Sequence, residues 1–398
     1  MSRLSRLLGS IALEGNIRFL AAQTIFSQAG FGMLAVVWQP YILSTGFTVP
    51  ELGVVQSFIS LATAAGLFLW GPLSDRFGRK PVMLVGHLSR VAAAVALIVS
   101  GQPAFIYAFA LFIGFSALWY QSNPARVALL SESVGNERRA TAYSSLLAVN
   151  QLVNMVAASA GGYIAAVAGY WQIFAVCIIG ELVGVVIIVF KVRETREAVD
   201  DGEPLLSPDR LRRSLLPEKD LRGLYLMMAV MGVSYGIGYA VWYGSMVAAL
   251  GFSTIELGVL TTTNALAWAV ASIPMGKLAE RLGSERMIMG SCAASLITTA
   301  GFILSRSFPL VFLFNIVNAF DPCLWVPNWV SYIAGRVPAA RRSTVLGKLD
   351  AYNRLAGIAA PTVGGLIYAS YGYAGPFIAH FVLSLIWVGL LVKAFRRT

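Results

Sequence analysis

Long apolar runs dominate this chain, and short clusters of charge punctuate them. Twelve runs can be marked, at roughly 17–44, 52–73, 81–100, 103–130, 139–168, 170–191, 223–250, 256–279, 286–305, 308–334, 342–370 and 373–394. A helix needs about 20 apolar residues to cross a bilayer, because every backbone polar group must be satisfied within it there. Each run is therefore predicted to be a membrane-spanning helix. The links are short except at 193–222, a hydrophilic stretch holding 15 of the 49 charged residues. The pattern predicts an all-α polytopic membrane protein, with six spans in 1–192, a loop at 193–222 and six spans in 223–398.

Composition narrows the class further. Of the 398 residues, 57% are hydrophobic and 12% are charged, and the mean hydropathy is +0.71. Ordinary soluble domains carry about 25% charged residues, so a soluble enzyme, a disordered chain and a nucleic-acid binder are all excluded. The net charge of +11 has a topological origin. With the N-terminus taken as one side, 25 of the 30 Lys and Arg residues fall on that side, and the opposite loops hold only Arg306. Cytoplasmic loops are the ones enriched in Lys and Arg. A multi-pass protein of the cell membrane with both termini and the central loop cytoplasmic is expected. Arg3 and Arg6 precede an apolar stretch soon interrupted by Glu14 and Arg18, unlike a cleavable signal. Residues 2–18 read either as a surface-lying amphipathic segment or as a solvated terminus. Cys177, Cys292 and Cys323 lie in apolar runs and read as packing residues.

The two halves are related. GFTVPELGVVQ at 46–56 aligns with GFSTIELGVLT at 251–261, a shift of 205 with six identities. At the same shift GPLSDRFGR at 71–79 meets GKLAERLGS at 276–284. At a shift of 203, RRATAYSSL at 138–146 meets RRSTVLGKL at 341–349, and GGYI at 161–164 meets GGLI at 364–367. Parallel six-span repeats are a known transporter architecture, with the substrate site between the halves.

GPLSDRFGRK at 71–80 resembles the loop motif between helices 2 and 3 of the major facilitator superfamily, with Ser74 the one departure. The resemblance covers the whole chain. It implies two pseudo-symmetric six-helix bundles around a central cavity, with helices 3, 6, 9 and 12 peripheral. It also implies a conformational gate. Gly71 and Gly78 are expected to let the tight loop turn. Asp75, next to Arg76, is expected to face the N-terminal end of helix 11 near Ser343 and Thr344. Arg79 is expected to pair with Glu132. In the second half Glu280 and Arg281 keep the carboxylate and base, but Ser284 replaces the second arginine, so the mirrored clamp is expected to be weaker. Two antiporter patterns are incomplete here. Ala110 stands where helix 4 of many drug–proton antiporters has arginine, and AASAGG at 157–162 lacks the helix 5 proline. APTVGG at 360–365 is closer; in both places small residues also serve close helix packing.

Ionisable residues inside a membrane are costly and so are functional candidates. Asp321 lies in run 10 beside Pro322, and Asn318, Asp321, Trp325 and Asn328 follow helical spacing. Asp321 is a candidate for substrate or proton binding, against a structural pair. Asp350, Asn353 and Arg354 cluster in run 11. Asp350 and Arg354 can pair as i and i+4; alternatively Arg354 reaches Asp321 and leaves Asp350 to titrate. In run 5, Asn150 and Gln151 are the repeat equivalents of Asn353 and Arg354. His87, Arg90, Glu181 and His380 fall on helices the resemblance makes peripheral. Arg90 and Arg126 are expected to reach toward the surface, and Glu181 to have an interhelical partner. Trp119, Trp242, Trp268 and Trp325, with Tyr120, Tyr235, Tyr239 and Tyr243, suit either an aromatic substrate or interfacial belts.

These features predict a secondary active transporter that moves a small organic solute by alternating access. Its closest fit is the multidrug and small-molecule efflux branch, as a monomer with protons as the coupling ion and no cofactor. Proton-coupled uptake and facilitated diffusion are the alternatives. A membrane enzyme fits poorly, with two histidines and no metal-ligand or nucleophile–base grouping. ATP drive lacks a phosphate-binding run, since Gly276-Lys277 is followed by leucine. A sensor would need long extramembrane domains.

Overall fold

The computed structural model describes residues 13–117, 123–195, 216–338 and 341–396. Residues 2–12 of the expected surface segment, most of the central loop, Trp119 and Tyr120 lie outside the described residues. The described chain holds sixteen α-helices, and they map onto the twelve apolar runs in order. Runs 1 to 3 are α1 (Gly15–Ser44), α2 (Val49–Phe77) and α3 (Arg79–Ile98). Run 4 is split into α4 (Pro103–Phe115) and α5 (Pro124–Glu132); runs 5 and 6 are α6 (Arg139–Ala168) and α7 (Trp171–Lys191). Run 7 is split into α8 (Arg222–Gly238) and α9 (Trp242–Leu250), followed by α10 (Thr254–Leu282) and α11 (Ser284–Leu304). Run 10 gives α12 (Phe308–Asn318) and α13 (Phe320–Ala334), run 11 gives α14 (Arg342–Ala356) and α15 (Ala360–Tyr371), and run 12 is α16 (Ala374–Arg396). Among the described residues nine helical stretches are long and apolar enough to cross a membrane, or ten if the bent α10 counts as one.

The break in run 10 is local. α12 ends at Asn318, Ala319 stays in the right-handed helical region, and Asp321 sits in the first turn of α13. Residues 308–334 therefore still run as one span, and Asn318, Asp321, Trp325 and Asn328 keep helical spacing along it. Proline has no N–H to donate, and it is tolerated in a first turn where that donor has no intrahelical partner. Pro322 fits the start of α13 for that reason. Prolines also occupy the first turns of α4, α5, α12 and α15.

The sequence repeat reappears as repeated local physics. Ser253 and Glu256 form a capping box at the start of α10, with both reciprocal bonds present. Thr48 and Glu51 do the same at the start of α2: the Thr48 N–H donates to Glu51 Oε2 over 2.7 Å, and the Glu51 N–H to Thr48 Oγ1 over 3.5 Å. Positive-φ glycines pair in the same register. Gly46 (φ 96) answers Gly251 (φ 70), Gly78 (φ 94) answers Gly283 (φ 81), and Gly169 (φ 85) answers Gly372 (φ 66). These are turn positions that disfavour any side chain. Gly71 is different: it lies inside α2, and a Cβ there would meet nothing within 4 Å. The expected need for glycine holds at Gly78 and fails at Gly71, because the helix runs on to Phe77 before the chain turns.

The chain packs as two compact units. The first comprises 1–38 and 58–207; the second comprises 39–57 and 208–398. The end of α1 and the start of α2 therefore pack with the second half of the sequence. The first unit has an apolar core around Leu20, Met83, Leu129, Leu146 and Ile188; the second is built around Tyr225, Ile288, Tyr332, Leu349 and Trp387. Repeat-equivalent glycines set close helix approaches in each. A Cβ on Gly161 would lie 2.6 Å from Met33 Cα, and one on Gly364 would lie 2.4 Å from the Ile237 carbonyl oxygen. Close packing therefore accounts for the small residues at 157–162 and 360–365.

Candidate functional site

Inside the first unit, four helices bring charged and polar side chains together. α1 supplies Gln23, Thr24 and Ser27, α3 supplies His87 and Arg90, α5 supplies Arg126 and α7 supplies Glu181. His87 and Arg90 are three residues apart and share a face of α3. Glu181 is the hub. It accepts hydrogen bonds from Ser27 Oγ over 2.5 Å and Arg90 Nη1 over 2.8 Å on one oxygen, and His87 Nδ1 over 2.6 Å on the other. The Nδ1 contact to a carboxylate assigns the proton on His87 to Nδ1. Arg90 also sits 3.7 Å from the Phe31 ring centroid, a cation–π contact. Beside this group Arg126 donates one Nη to the Gln23 carboxamide oxygen and the other to Thr24 Oγ1 over 2.6 Å. His87, Arg90, Arg126 and Glu181 are all buried. Gln23, Thr24, Ser27, Gln28, His87, Arg90, Arg126 and Asn150 line one recess.

This grouping overturns one expectation. Arg90 and Arg126 do not reach the surface; each is held by partners within the helices. His87, Arg90 and Glu181 form one polar centre. The interhelical partner expected for Glu181 is present twice over. A sequence signal did exist: a lone acid in the middle of α7, and two bases on one face of α3 beyond its charged first turn.

In the second unit Asp321 is buried. It accepts from Tyr235 Oη over 2.5 Å and from Ser291 Oγ over 2.6 Å. Ser295 Oγ lies 3.0 Å from the same Tyr235 hydroxyl. Asp321 thus rests on hydroxyls from α8 and α11, with no cation paired to it among the described residues. Tyr235 and Tyr239 both contact the His380 ring edge-on, and His380 Nδ1 lies 2.8 Å from Ser234 Oγ. The aromatics expected to line a substrate path largely pack on one another. Trp242 contacts Tyr239, Tyr243 and Phe302, and Trp325 stacks on Trp329 at 5.2 Å.

The remaining candidates separate. Arg354 pairs with Asp350 over 2.7 Å, both side chains being exposed, so the alternative partnership of Arg354 with Asp321 is not the one formed. Asn353 donates from Nδ2 to the Met228 carbonyl over 3.0 Å, a bond tying α14 to α8. Asn328 Nδ2 bonds back to Leu324 O within α13. Asn150 lines the recess of the first unit, and Gln151 beside it is half-buried.

At the loop end of the first unit, Arg79 is a second hub. Its guanidinium reaches Glu132 over 2.8 Å, Asp75 over 2.6 Å and Ser74 over 2.8 Å. Glu194, from the start of the charged loop, accepts the backbone N–H groups of Arg79 and Lys80 over 3.0 and 2.8 Å. A carboxylate there complements the positive end of α3. Ser74, the departure from the loop motif, takes part through its hydroxyl. Arg76 lies 5.7 Å from the Phe77 ring, and Glu280 and Arg281 are exposed at the end of α10. The second unit carries its own bridge elsewhere: Arg336 to Glu285 over 2.7 Å. Glu285 falls at the position equivalent to Lys80, one residue past the Ser284 that replaces Arg79, so this bridge is a separate contact and not a copy of Arg79–Glu132. Among the described residues no group of three or more His, Cys, Asp or Glu side chains could hold a metal ion.

Long apolar helices in a sequence with an internal repeat, packed around buried polar centres, define a polytopic α-helical membrane protein. The sequence profile of the Major Facilitator Superfamily matches residues 20–243 and 224–398, and the chain belongs to that superfamily. It is similar to a bicyclomycin resistance protein homolog of Haemophilus influenzae, 24% identical over 320 residues that span 79% of this chain and 76% of that one. The multidrug resistance protein MdtG of Dickeya zeae is 23% identical over 400 residues, 94% of this chain and 93% of that one. Among solved structures, the nucleoside transporter NupG superposes with a TM-score of 0.71 at 14% identity, covering 96% of this chain and 99% of its own.

Proposed function

We propose that this transporter exports a small organic solute across the cell membrane in exchange for protons, with both termini on the cytoplasmic side. The observation that carries proton coupling is Asp321, a buried carboxylate whose partners among the described residues are hydroxyls. A hydroxyl can donate to a carboxylate and accept from a carboxylic acid, so the Tyr235 and Ser291 hydroxyls serve the group in either protonation state. An arginine partner could not. The outward direction is supported by the resistance functions named for the relatives, and the strong positive bias of one side supports the orientation. The superfamily's alternating-access cycle then needs Asp321 to meet water from opposite sides in turn, loading a proton on one and releasing it on the other.

The test uses proteoliposomes with an imposed pH gradient and chloramphenicol, the drug named for another relative, as the probe. Wild-type protein should drive flux against the proton gradient and support gradient-free counterflow. Asp321→Asn should lose the first and keep the second. Gradient-driven flux equal to wild type in that variant sinks the proton assignment. Flux that follows the solute gradient alone favours facilitated diffusion.

A further inference from the structure

The polar centre of the first unit is not electrically balanced. Arg90 is matched by Glu181 at 2.8 Å, and His87 Nδ1 lies 2.6 Å from the other oxygen of the same carboxylate. Arg126 has only the neutral Gln23 and Thr24 as hydrogen-bond partners, and no acid pairs with it among the described residues. Two guanidiniums therefore share one carboxylate in a region where Arg126 is 3% and Arg90 6% exposed. A buried cation without a counter-charge is expensive. The imbalance coincides with a recess, and the groups that line it are dominated by donors: two guanidiniums, the carboxamides of Gln23 and Asn150, and the hydroxyl of Thr24. One buried donor of the same recess-lining residues, the Nε–H of Arg90, has no hydrogen-bond partner. Buried polar atoms are normally satisfied, so the site is incomplete as it stands. What it lacks is an acceptor that carries negative charge. Planar guanidinium forks match carboxylates and related oxyanions in shape as well as charge.

We infer that this recess is a subsite for the carboxylate of an anionic solute, with Arg126 as its charge-pairing residue and Gln23, Asn150 and Arg90 as accessory donors. The assignment rests on the transport reading above and adds to it the chemical class of the solute. It also explains why Arg126 is held by a glutamine and a threonine: neutral partners orient the guanidinium while leaving its charge available to the ligand.

Purified protein in a nonionic detergent is melted with benzoate, benzamide and benzylamine, three probes of similar shape and different charge, at matched ionic strength. Benzoate alone should raise the melting temperature. Arg126→Gln should weaken the half-saturating benzoate concentration by roughly tenfold or more. Gln23→Glu supplies an internal carboxylate against Arg126, and it keeps the test decisive if Arg126→Gln fails to fold. It should melt higher than wild type without ligand and lose the benzoate response. Equal shifts from all three probes, or a wild-type benzoate response in Gln23→Glu, overturn the subsite. A shift from phosphatidylglycerol that replaces the benzoate shift, and is lost in Gln23→Glu, assigns the recess to a lipid headgroup and overturns the solute assignment. Benzoate counterflow separates the two readings. Benzoate binding without any flux of benzoate or chloramphenicol leaves the subsite standing and removes the transport reading. Chloramphenicol flux without benzoate binding does the reverse.

Discussion

The side chain of Gln39 fills the break between α8 and α9. Its Oε1 accepts the backbone N–H of Gly244 over 2.8 Å, and its Nε2 donates to the Ala240 carbonyl over 2.9 Å. Backbone groups freed at a helix break in a membrane must find a partner within the protein. A residue from α1 thus completes run 7, which is one reason residues 39–57 belong with the second unit. Gln39→Met keeps the volume and removes both bonds. It should destabilise the protein by about 2–3 kcal/mol, because two buried backbone groups lose their partner. A denaturation titration in detergent measures it, and a change below about 0.5 kcal/mol, the range of neutral substitutions, refutes the bridging role.

Tyr235 and Ser291 divide the support of Asp321 between α8 and α11. If both hydroxyls serve the carboxylate through the proton cycle, removing one should impair it without abolishing it. Tyr235→Phe should lower gradient-driven chloramphenicol flux by roughly tenfold, the effect of losing about 1.4 kcal/mol from one charge-assisted bond. Asp321→Asn should eliminate that flux, and counterflow should survive in both. Loss of counterflow in Tyr235→Phe points instead to a packing role for the tyrosine, which also touches Tyr239 and His380.

Much of the fold was legible because repetition exposes it. The capping boxes at Thr48 and Ser253, and the glycine turns at Gly78 and Gly283, are local devices, and local devices are written in consecutive residues. Hydropathy located the twelve runs for the same reason. It did not show that four of them break, because a break is decided by where freed backbone groups find partners, as Gln39 does for run 7. The Asp350–Arg354 pair was readable from its spacing of four. The union of His87, Arg90, Glu181 and Arg126 was not, since it depends on how three helices rotate toward one another. Assigning α3 and α7 to the periphery by analogy hid it.

The bridges Arg79–Glu132 and Glu285–Arg336 allow a test of charge pairing without loss of charge. Arg79→Glu alone adds a fourth carboxylate to Asp75, Glu132 and Glu194, and should lower stability. Combining it with Glu132→Arg restores one pair with its charges exchanged. The double-mutant cycle should give a coupling of about 1–2 kcal/mol, typical of contacting charged residues. A coupling near zero makes the Arg79 hub a solvated loop with no bracing role. The reverse swap at Glu285 and Arg336 should couple more weakly, because Glu285 is 48% exposed against 33% for Glu132.

Glu218, just before α8, offers a pH-dependent reading of stability. Burial works against its charge. The Tyr225 hydroxyl and the Lys348 ammonium, which lies 3.1 Å away, outweigh it and hold the carboxyl below the ordinary glutamate range. A carboxyl whose folded value is depressed binds its proton more readily when unfolded. Its contribution is therefore complete above the unfolded value of about 4.3 and is lost as the pH falls through the folded value below it. Glu218→Gln removes that contribution at neutral pH. The variant should melt below wild type at pH 7, and the gap should narrow as the pH is lowered through 4. Melting curves in detergent across that range decide the matter: a gap that stays constant with pH assigns the loss to the hydrogen bond with Tyr225 and not to the charge on Glu218.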